Sequence, residues 1–185
     1  MESNMKLIKT ITLLTMITLM IAACSTAPKT IAGKSAIEAK AAAAIARFKS
    51  TDPSMAKSFF ASSKGYAVFP TVGKGGIGIG GAYGKGVLYQ GGQVVGYCDL
   101  SQASIGFQLG GQTYSEIIFF SDDLSLQNFK SGALEFAAQA SAVAAASDAS
   151  ANADYDHGVA VFTHAGKGLM YEASIGGQKF TYQPK

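Results

Sequence analysis

The spacing of apolar residues predicts a chain that begins with helices and continues as a sheet. Between residues 34 and 48, apolar side chains recur at helical spacing on one face: Ile37, Ala41, Ala44, Ile45 and Phe48. Asp52 and Pro53 predict the start of a second helix, because aspartate caps free amides and proline fits the first turn. Gly65 is expected to end that helix.

From residue 65 onward, short apolar runs alternate with glycines, which predicts strands joined by tight turns. The expected strands span 65–71, 76–83, 87–90, 93–99, 104–110, 113–121, 158–163, 168–175 and 178–182. Turns are expected at Gly91-Gly92, at Gly110-Gly111, at Gly176-Gly177 and around Lys85. The last two strands are expected to form a hairpin. The run 117–120 is apolar on both faces, so its strand should be central.

A short helix is expected over residues 122–131, with acidic residues in its first turn and Gly132 after its end. Residues 133–146 are alanine-rich, which favours a helix, but polar and apolar positions alternate, which favours a strand. We expect a strand there. The predicted fold class is α+β: a curved, mostly antiparallel, glycine-rich β-sheet, partly barrel-like, with N-terminal helices and one short helix before the C-terminal strands.

One sequence unit occurs twice. Residues 65–75 and 158–168 share seven identities at a constant offset of 93. The match predicts either an internal duplication or a strand-and-turn unit used twice. The glycines after the first copy leave one strand face bare, where another strand, a bound chain or a ligand could approach closely.

Residues 1–23 predict a signal peptide. Lys6 and Lys9 precede an apolar stretch, residues 10–22, that is too short to span a bilayer comfortably. Small residues then precede Cys24, which resembles the lipobox of bacterial lipoproteins, whose cysteine is lipidated and becomes the mature N-terminus. We therefore expect a lipidated tether over 24–33 and a single domain over 34–185. A plain secretion signal that happens to contain a cysteine is the alternative.

The residue after Cys24 is Ser25, and the known inner-membrane retention signal is an aspartate at that position. The expected location is therefore the outer membrane, facing the periplasm. If Cys24 carries lipid, Cys98 is the remaining cysteine and no intramolecular disulfide can form. Cys98 lies in an apolar run, which predicts a buried, inert thiol.

Charge is divided unevenly along the chain. Residues 24–85 carry nine basic and two acidic side chains, a balance of +7, while residues 86–185 carry four basic and nine acidic ones, a balance of −5. Such a split predicts an interaction with something anionic near the N-terminal part. A basic surface that is merely solvated would give the same pattern. Overall, the 185 residues contain 15% charged and 48% hydrophobic side chains, which excludes disordered and fibrous classes.

No residue set predicts catalysis. Residues 73–78 match the pattern GxGxxG, but a strand is expected after them, so a dinucleotide site is excluded. His157 and His164 are the only histidines, and two histidines seven residues apart are weak evidence for a metal site. We predict no catalytic residue, no metal and no cofactor. An unrecognised hydrolase or ligand carrier that uses either histidine is one alternative.

Several segments together resemble the SYLF-domain (Ysc84-like) family, as found in small bacterial lipoproteins. They are KGYAVFP at 64–70, the glycine run through Gly86, IGFQLGGQ at 105–112 and GKGLMYEASIGGQKF at 166–180. The resemblance implies binding to anionic membrane lipids, without enzymatic activity, through basic residues and an N-terminal amphipathic segment. The matching positions here are Lys34, Lys40, Arg47 and Lys49. Eukaryotic members also contact actin.

The charge split adds Lys57, Lys64 and Lys74 to these candidate lipid-binding residues. We therefore predict a lipid-anchored, non-catalytic protein that binds anionic phospholipids, and we expect no nucleic-acid partner. The alternative is a structural or interaction protein of the envelope that docks a protein partner on its glycine-rich sheet.

Overall fold

The computed structural model describes residues 28, 30–106, 112–134, 142–143, 150, 153–166, 168–172 and 177–185. Within them lie the helices α1 (Ile31–Thr51) and α2 (Asp123–Ser131) and a π-helical turn (Ala56–Phe60). The strands are β1 (Gly65–Gln90), β2 (Gln93–Gly106), β3 (Gln112–Phe120), β4 (Ala142–Val143), β5 (Val159–Ala165), β6 (Gly168–Glu172) and β7 (Gln178–Pro184). The predicted signal peptide and Cys24 lie outside the described residues.

These strands form one sheet in the order β4-β6-β5-β3-β1-β2-β7, and every neighbouring pair is antiparallel. The predicted α+β class with an antiparallel sheet is confirmed. Strand β3 lies between β1 and β5, and residues 117–120 are fully buried because both faces of the sheet are covered there. The predicted central strand is therefore confirmed.

The sheet is strongly curled. Gln178 in β7 donates a hydrogen bond from Nε2 to Oε2 of Glu116 in β3 at 3.2 Å, although β1 and β2 lie between these strands. In a flat sheet, strands three places apart would be ~14 Å apart. Residues 173–177 alone separate β6 from β7, and that length of chain reaches on the order of 20 Å. The strand order of the described residues nevertheless has two ends, so the predicted partial barrel is not confirmed.

Strand β1 is much longer than predicted. Residues 65–90 are in strand conformation throughout, so the turn predicted around Lys85 is wrong. This long strand folds back on itself, because Gly65 lies against the carbonyl oxygen of Tyr89, and Gly86 lies against that of Val68. Strand β2 likewise runs unbroken from Gln93 to Gly106, where two strands were expected. The turn at Gly91-Gly92 is confirmed, since both residues have positive φ angles, 57° and 75°.

The predicted C-terminal hairpin is wrong. Strand β6 pairs with β5, whereas β7 pairs with β2 at the other end of the sheet. Gly177 does turn the chain, with φ at 75°, but the chain passes from one end of the curled sheet to the other. Two apolar runs around a glycine pair have the same sequence pattern whether the strands form a hairpin or pair with other strands of the sheet.

Each face of the sheet carries a hydrophobic core. On the α1 face, Phe48 and Phe59 pack against Phe119 and Phe162. On the α2 face, residues of α2 pack against β1 and β7; this core includes Phe69, Leu126, Phe129 and Phe180. The apolar side of α1 is buried against the sheet through Ala41, Ala44 and Phe48. The apolar face predicted from helical spacing is therefore the side that packs on the sheet.

The two copies of the repeated unit flank β3. Ala67 in β1 and Val161 in β5 both pair with Ile118, from opposite sides. Residues that match in sequence face opposite ways, since Val68 lies in the core under α1 and Val161 in the core under α2. A half-turn about the axis of β3 therefore relates the copies. The repeated sequence is buried on both sides in each copy, but its matching residues face opposite cores.

Two helical segments differ from expectation. Helix α1 starts earlier than predicted, because Thr30 caps it by accepting a hydrogen bond from Gly33 N, and it continues to Thr51. The second helix is reduced to the π-helical turn, which allows Phe59 and Phe60 to contact Phe119 at ring distances of 5.2 and 4.9 Å. No described helix is both long enough and apolar enough to cross a membrane.

Helix α2 and part of the segment 133–146 agree with the elements predicted from the sequence. Helix α2 begins after the cap Asp122 and ends at Gly132, which adopts φ of 74°. Of the residues expected to form a strand over 133–146, Ala142–Val143 pair with β6, whereas 133–134 are not in a strand. Residues 135–141 and 144–146 lie outside the described residues.

Candidate functional site

Lys40 and Arg47 lie on one exposed flank of α1. They are seven residues apart, about two helical turns, so their side chains project from the same side. The outer side of the helix next to them is also exposed and carries small apolar residues, which are Ala36, Ala39, Ala43 and Ala46. A flat anionic surface could therefore approach this flank closely.

Lys34 and Lys49 are placed differently, over aromatic rings. The Nζ atom of Lys34 lies 5.0 Å from the ring centre of Tyr97, and that of Lys49 lies 4.4 Å from the ring centre of Phe60. An ammonium group over a ring face is attracted by the ring quadrupole. Lys34 therefore helps to attach α1 to strand β2, and Lys49 helps to attach it to the π-helical turn, in addition to any contribution to a charged surface.

The other predicted lysines are dispersed. Lys57 lies in the π-helical turn and Lys64 just before β1, and both side chains are exposed. Lys74 lies in β1, two residues after Val72, which belongs to the core under α2. Because strand residues two apart share a face, Lys74 lies across the sheet from α1. The seven predicted residues therefore do not form one continuous surface.

The C-terminus is attached to α1 through Glu38. Tyr97 donates a hydrogen bond to Glu38 Oε1 at 2.6 Å, and Lys185 Nζ lies 3.1 Å from the same oxygen. The hydrogen bond from Tyr97 lowers the pKa of Glu38, and burial together with that bond raises the pKa of Tyr97 to about 12. Glu38 thus neutralises positive charge near the start of α1, whereas Lys40 and Arg47 lie further along the helix on its exposed flank.

Asp52 fixes the C-terminal end of α1. Its side chain is fully buried; Oδ1 accepts hydrogen bonds from Ser54 N and Oγ, and Oδ2 accepts one from Ser150 N at 2.8 Å. Burial alone would raise the pKa of Asp52, but these hydrogen bonds outweigh it and the pKa is lowered. The carboxylate therefore joins the end of α1 to a residue 98 positions later in the chain.

A β-bulge lies near that end of α1. The pairing of β1 with β3 shifts between Phe69 and Val72, so Pro70 and Thr71 together oppose Ser115. Ser115 Oγ donates a hydrogen bond to the carbonyl oxygen of Pro70 at 2.8 Å. This bond gives the carbonyl group a partner where the bulge interrupts the backbone hydrogen bonds between β1 and β3. The bulge opens a gap between the backbone of β1 and the end of α1.

This gap is a polar pocket of about 210 Å³, which we call the bulge pocket. Its lining includes Arg47 from α1, His164 from β5, Thr71 from β1, and Thr113 and Ser115 from β3. No acidic side chain is among the described residues that line it. Arginine, imidazole and hydroxyl groups are hydrogen-bond donors, so the pocket is suited to an anion.

The sequence pattern did not indicate this pocket. Arg47 was a predicted site residue, but its neighbour His164 is far away in sequence and comes close because β5 pairs with β3 at Ser115. The edge of the His164 ring also contacts Phe48, with ring centres 6.1 Å apart. The only signal in the sequence was Pro70 inside an apolar strand, since proline is favoured at bulges.

The histidines form no recognisable hydrolytic site. The hydroxyl of Ser115, opposite His164, donates its hydrogen bond to Pro70 O, so it is not directed at the imidazole. His157 is an exposed turn residue whose Nδ1 lies 2.7 Å from Asp156 Oδ1. Across the described residues, no group of three or more histidine, cysteine or acidic side chains could hold a metal ion.

Cys98 is buried in the core under α2. Burial raises the pKa of its thiol well above the usual value, and the nearby Asp99 adds to this effect. The thiolate is the reactive form of cysteine, so this thiol is inert, as predicted.

Three glycines of β1 and β2 are covered by the protein's own side chains. A Cβ atom at Gly86 would lie 2.7 Å from the ring of Phe69, and one at Gly96 would overlap the ring of Tyr182. At Gly84 the close neighbour is Val72, at 2.9 Å. The backbone at these three positions is therefore not available for a ligand or a partner.

The C-terminal half of the chain is similar to a known protein family. Residues 101–184 match the model of the Ysc84 family, described as "Las17-binding protein actin regulator". The chain is 30% identical over 148 residues to a protein of Aeromonas veronii named Beta cell expansion factor A. The match covers 78% of this chain and 55% of that protein, so the chain spans about half the length of this relative.

Proposed function

We propose that this protein binds anionic phospholipid membranes through the exposed flank of α1, as its resemblance to the SYLF family implies; residues 101–184 match the Ysc84 model of that family. In this proposal the protein is non-catalytic, and acyl chains on Cys24 hold it at the outer membrane, facing the periplasm. The family is not known as an enzyme family. The position of Lys40 and Arg47, exposed on a helix whose other side is docked on the sheet, is the observation that carries the proposal.

The docking of α1 determines how the membrane would be contacted. Phe48 and its buried neighbours are packed in the core and are not available for insertion into lipid. Contact would therefore involve the outer side, where small alanines permit close approach and Lys40 and Arg47 reach the phosphates. Long cationic side chains suit this position because their apolar stems lie along the surface while the charge meets the headgroups.

Electrostatic attraction contributes free energy to the proposed membrane binding. Each basic side chain near an anionic surface adds about 1 kcal/mol. An acyl anchor at Cys24 would keep the domain at a high effective lipid concentration, so weak intrinsic affinity would suffice.

Two other functions receive less support. The words "actin regulator" in the family description do not fit a protein held outside the cytoplasm, so we do not carry that role over. Docking of a partner protein on the glycine face is disfavoured at Gly84, Gly86 and Gly96, because the protein's own side chains cover them.

Vesicle co-sedimentation of residues 25–185, without the anchor, tests the proposal. Binding is expected to rise with the fraction of phosphatidylglycerol in phosphatidylcholine vesicles. Raising the salt from roughly 0.1 M to roughly 1 M shortens the Debye length from ~10 Å to ~3 Å and should weaken binding by about tenfold or more. Equal binding to neutral and anionic vesicles, or indifference to salt, would refute the proposal.

A further inference from the structure

The bulge pocket brings one cationic side chain together with several hydrogen-bond donors. Arg47 approaches from α1, while Thr71, Thr113 and His164 approach from three strands of the sheet. The arrangement is held from both sides, since Phe48 is fully buried next to Arg47 and Ser115 secures the bulge through its bond to Pro70. The pocket is therefore built into the junction of helix and sheet, and Gly166 of the turn after β5 completes its lining.

The chemistry of the lining selects its ligand. A guanidinium group matches the oxygens of a phosphate through two parallel hydrogen bonds, and hydroxyl groups can donate to the remaining oxygens. No carboxylate among the described lining residues would repel an anion. A volume of about 210 Å³ is several times the space that one water molecule needs, but it leaves little room for an acyl chain.

We propose that the bulge pocket binds the phosphate group of one phospholipid headgroup. The residues that bind it are Arg47, Thr113, Thr71 and His164. This inference rests on the proposed membrane binding and adds a specific site to a diffuse electrostatic attraction. Lys40 lies on the same flank of α1 but does not line the pocket, so it serves the diffuse attraction alone. The two cations of this flank thus have different roles.

Replacement of Arg47 by lysine separates the two roles, because Arg47→Lys keeps the charge and removes the planar fork. The full chain, carrying Cys24→Ser to prevent acylation and kept in a neutral detergent, would be titrated with inorganic phosphate and with glycerol phosphate by calorimetry. Arg47→Lys and Thr113→Val are each expected to weaken phosphate binding about tenfold. The matched control Lys40→Gln, which removes a neighbouring charge, should change it less than about twofold. Melting curves would verify that all three variants are folded.

A second arm identifies the source of the phosphate. Glycerol phosphate should displace the same chain from phosphatidylglycerol-containing micelles more effectively than a chloride salt of equal ionic strength. Phosphate binding without such displacement would assign the pocket to free phosphate and overturn the headgroup assignment. Equal effects of Arg47→Lys and Lys40→Gln on phosphate binding, or no phosphate binding at all, would also overturn it. If lipid binding persists in those cases, the proposed function stands without the pocket; if lipid binding is absent as well, both fail.

Discussion

Replacing Asp52 with alanine is expected to lower the free energy of unfolding by about 3 kcal/mol. The carboxylate is fully buried and accepts hydrogen bonds from the backbone N–H groups of Ser54 and Ser150. Its removal leaves these donors without their acceptor, and each buried unsatisfied donor costs about 1–3 kcal/mol. Urea denaturation would measure the loss directly.

The pH dependence of stability gives an independent test of Asp52. Its pKa in the folded protein lies below the ordinary value of 3.8, because hydrogen bonds to the charged form outweigh the cost of burial. Such a group stabilises the fold at pH values above its unfolded pKa, and the contribution is lost as pH falls through the folded pKa. The stability advantage of the wild type over Asp52→Asn should therefore be constant above pH about 5 and shrink below pH about 4.

Asp123→Ala is the matched control for Asp52. Asp123 is an exposed carboxylate in the first turn of α2, and its loss should cost less than about 1 kcal/mol. An Asp52→Ala protein as stable as this control would show that the buried carboxylate does not hold residue 150 against the end of α1.

Replacing Gly86 with alanine is expected to destabilise the protein by about 2–3 kcal/mol. The new Cβ atom would lie 2.7 Å from both the Phe69 ring and the carbonyl oxygen of Val68. The carbonyl belongs to the backbone of the same curled sheet and cannot move cheaply. Thermal unfolding should show the loss as a decrease in Tm of roughly 4–12 °C.

Gly73→Ala provides the comparison within the same strand. A Cβ atom at Gly73 would meet only Tyr83 O at 4.0 Å, which is an ordinary contact. This variant should be neutral or slightly more stable, since alanine restricts the unfolded chain. If both variants behave alike, the glycines of β1 do not serve the close approach that the curl requires.

The elements that sequence pattern predicted well are those whose signal is local. Asp122 and Gly132 delimit α2 by capping, and the run 117–120 identified the central strand because both of its sides are apolar. The apolar periodicity of α1 identified its buried side, which packs on the sheet. In each case, a few neighbouring residues determine the structure.

The features that sequence pattern missed depend on distant partners. Glycines such as Gly84 and Gly86 suggested turns, but β1 continues through them because Val72 and Phe69 lie against the bare backbone. Strands β6 and β7 resembled a hairpin, yet each pairs with a strand elsewhere in the sheet. The side-chain hydrogen bond between Gln178 and Glu116, which spans two intervening strands, likewise forms because the sheet is curled.

In the candidate site, too, the sequence predicted what depends on neighbouring residues and missed what depends on distant ones. Charge distribution indicated the basic N-terminal region, but it could not separate Lys40 and Arg47 from Lys34 and Lys49, which contact Tyr97 and Phe60. It also could not place Lys74 on the far face of the sheet. The bulge pocket requires the register of β1, β3 and β5, which no single segment encodes.

The central claim, that the flank of α1 with Lys40 and Arg47 contacts anionic lipid, is tested most directly by vesicle binding of two matched double variants of residues 25–185. Lys40→Gln/Arg47→Gln removes two charges from the flank, and Lys85→Gln/Lys179→Gln removes two exposed charges from β1 and β7. At about 1 kcal/mol per basic residue, the first variant should bind phosphatidylglycerol vesicles about 30-fold more weakly and the second less than about threefold. Equal losses in the two variants would contradict the account.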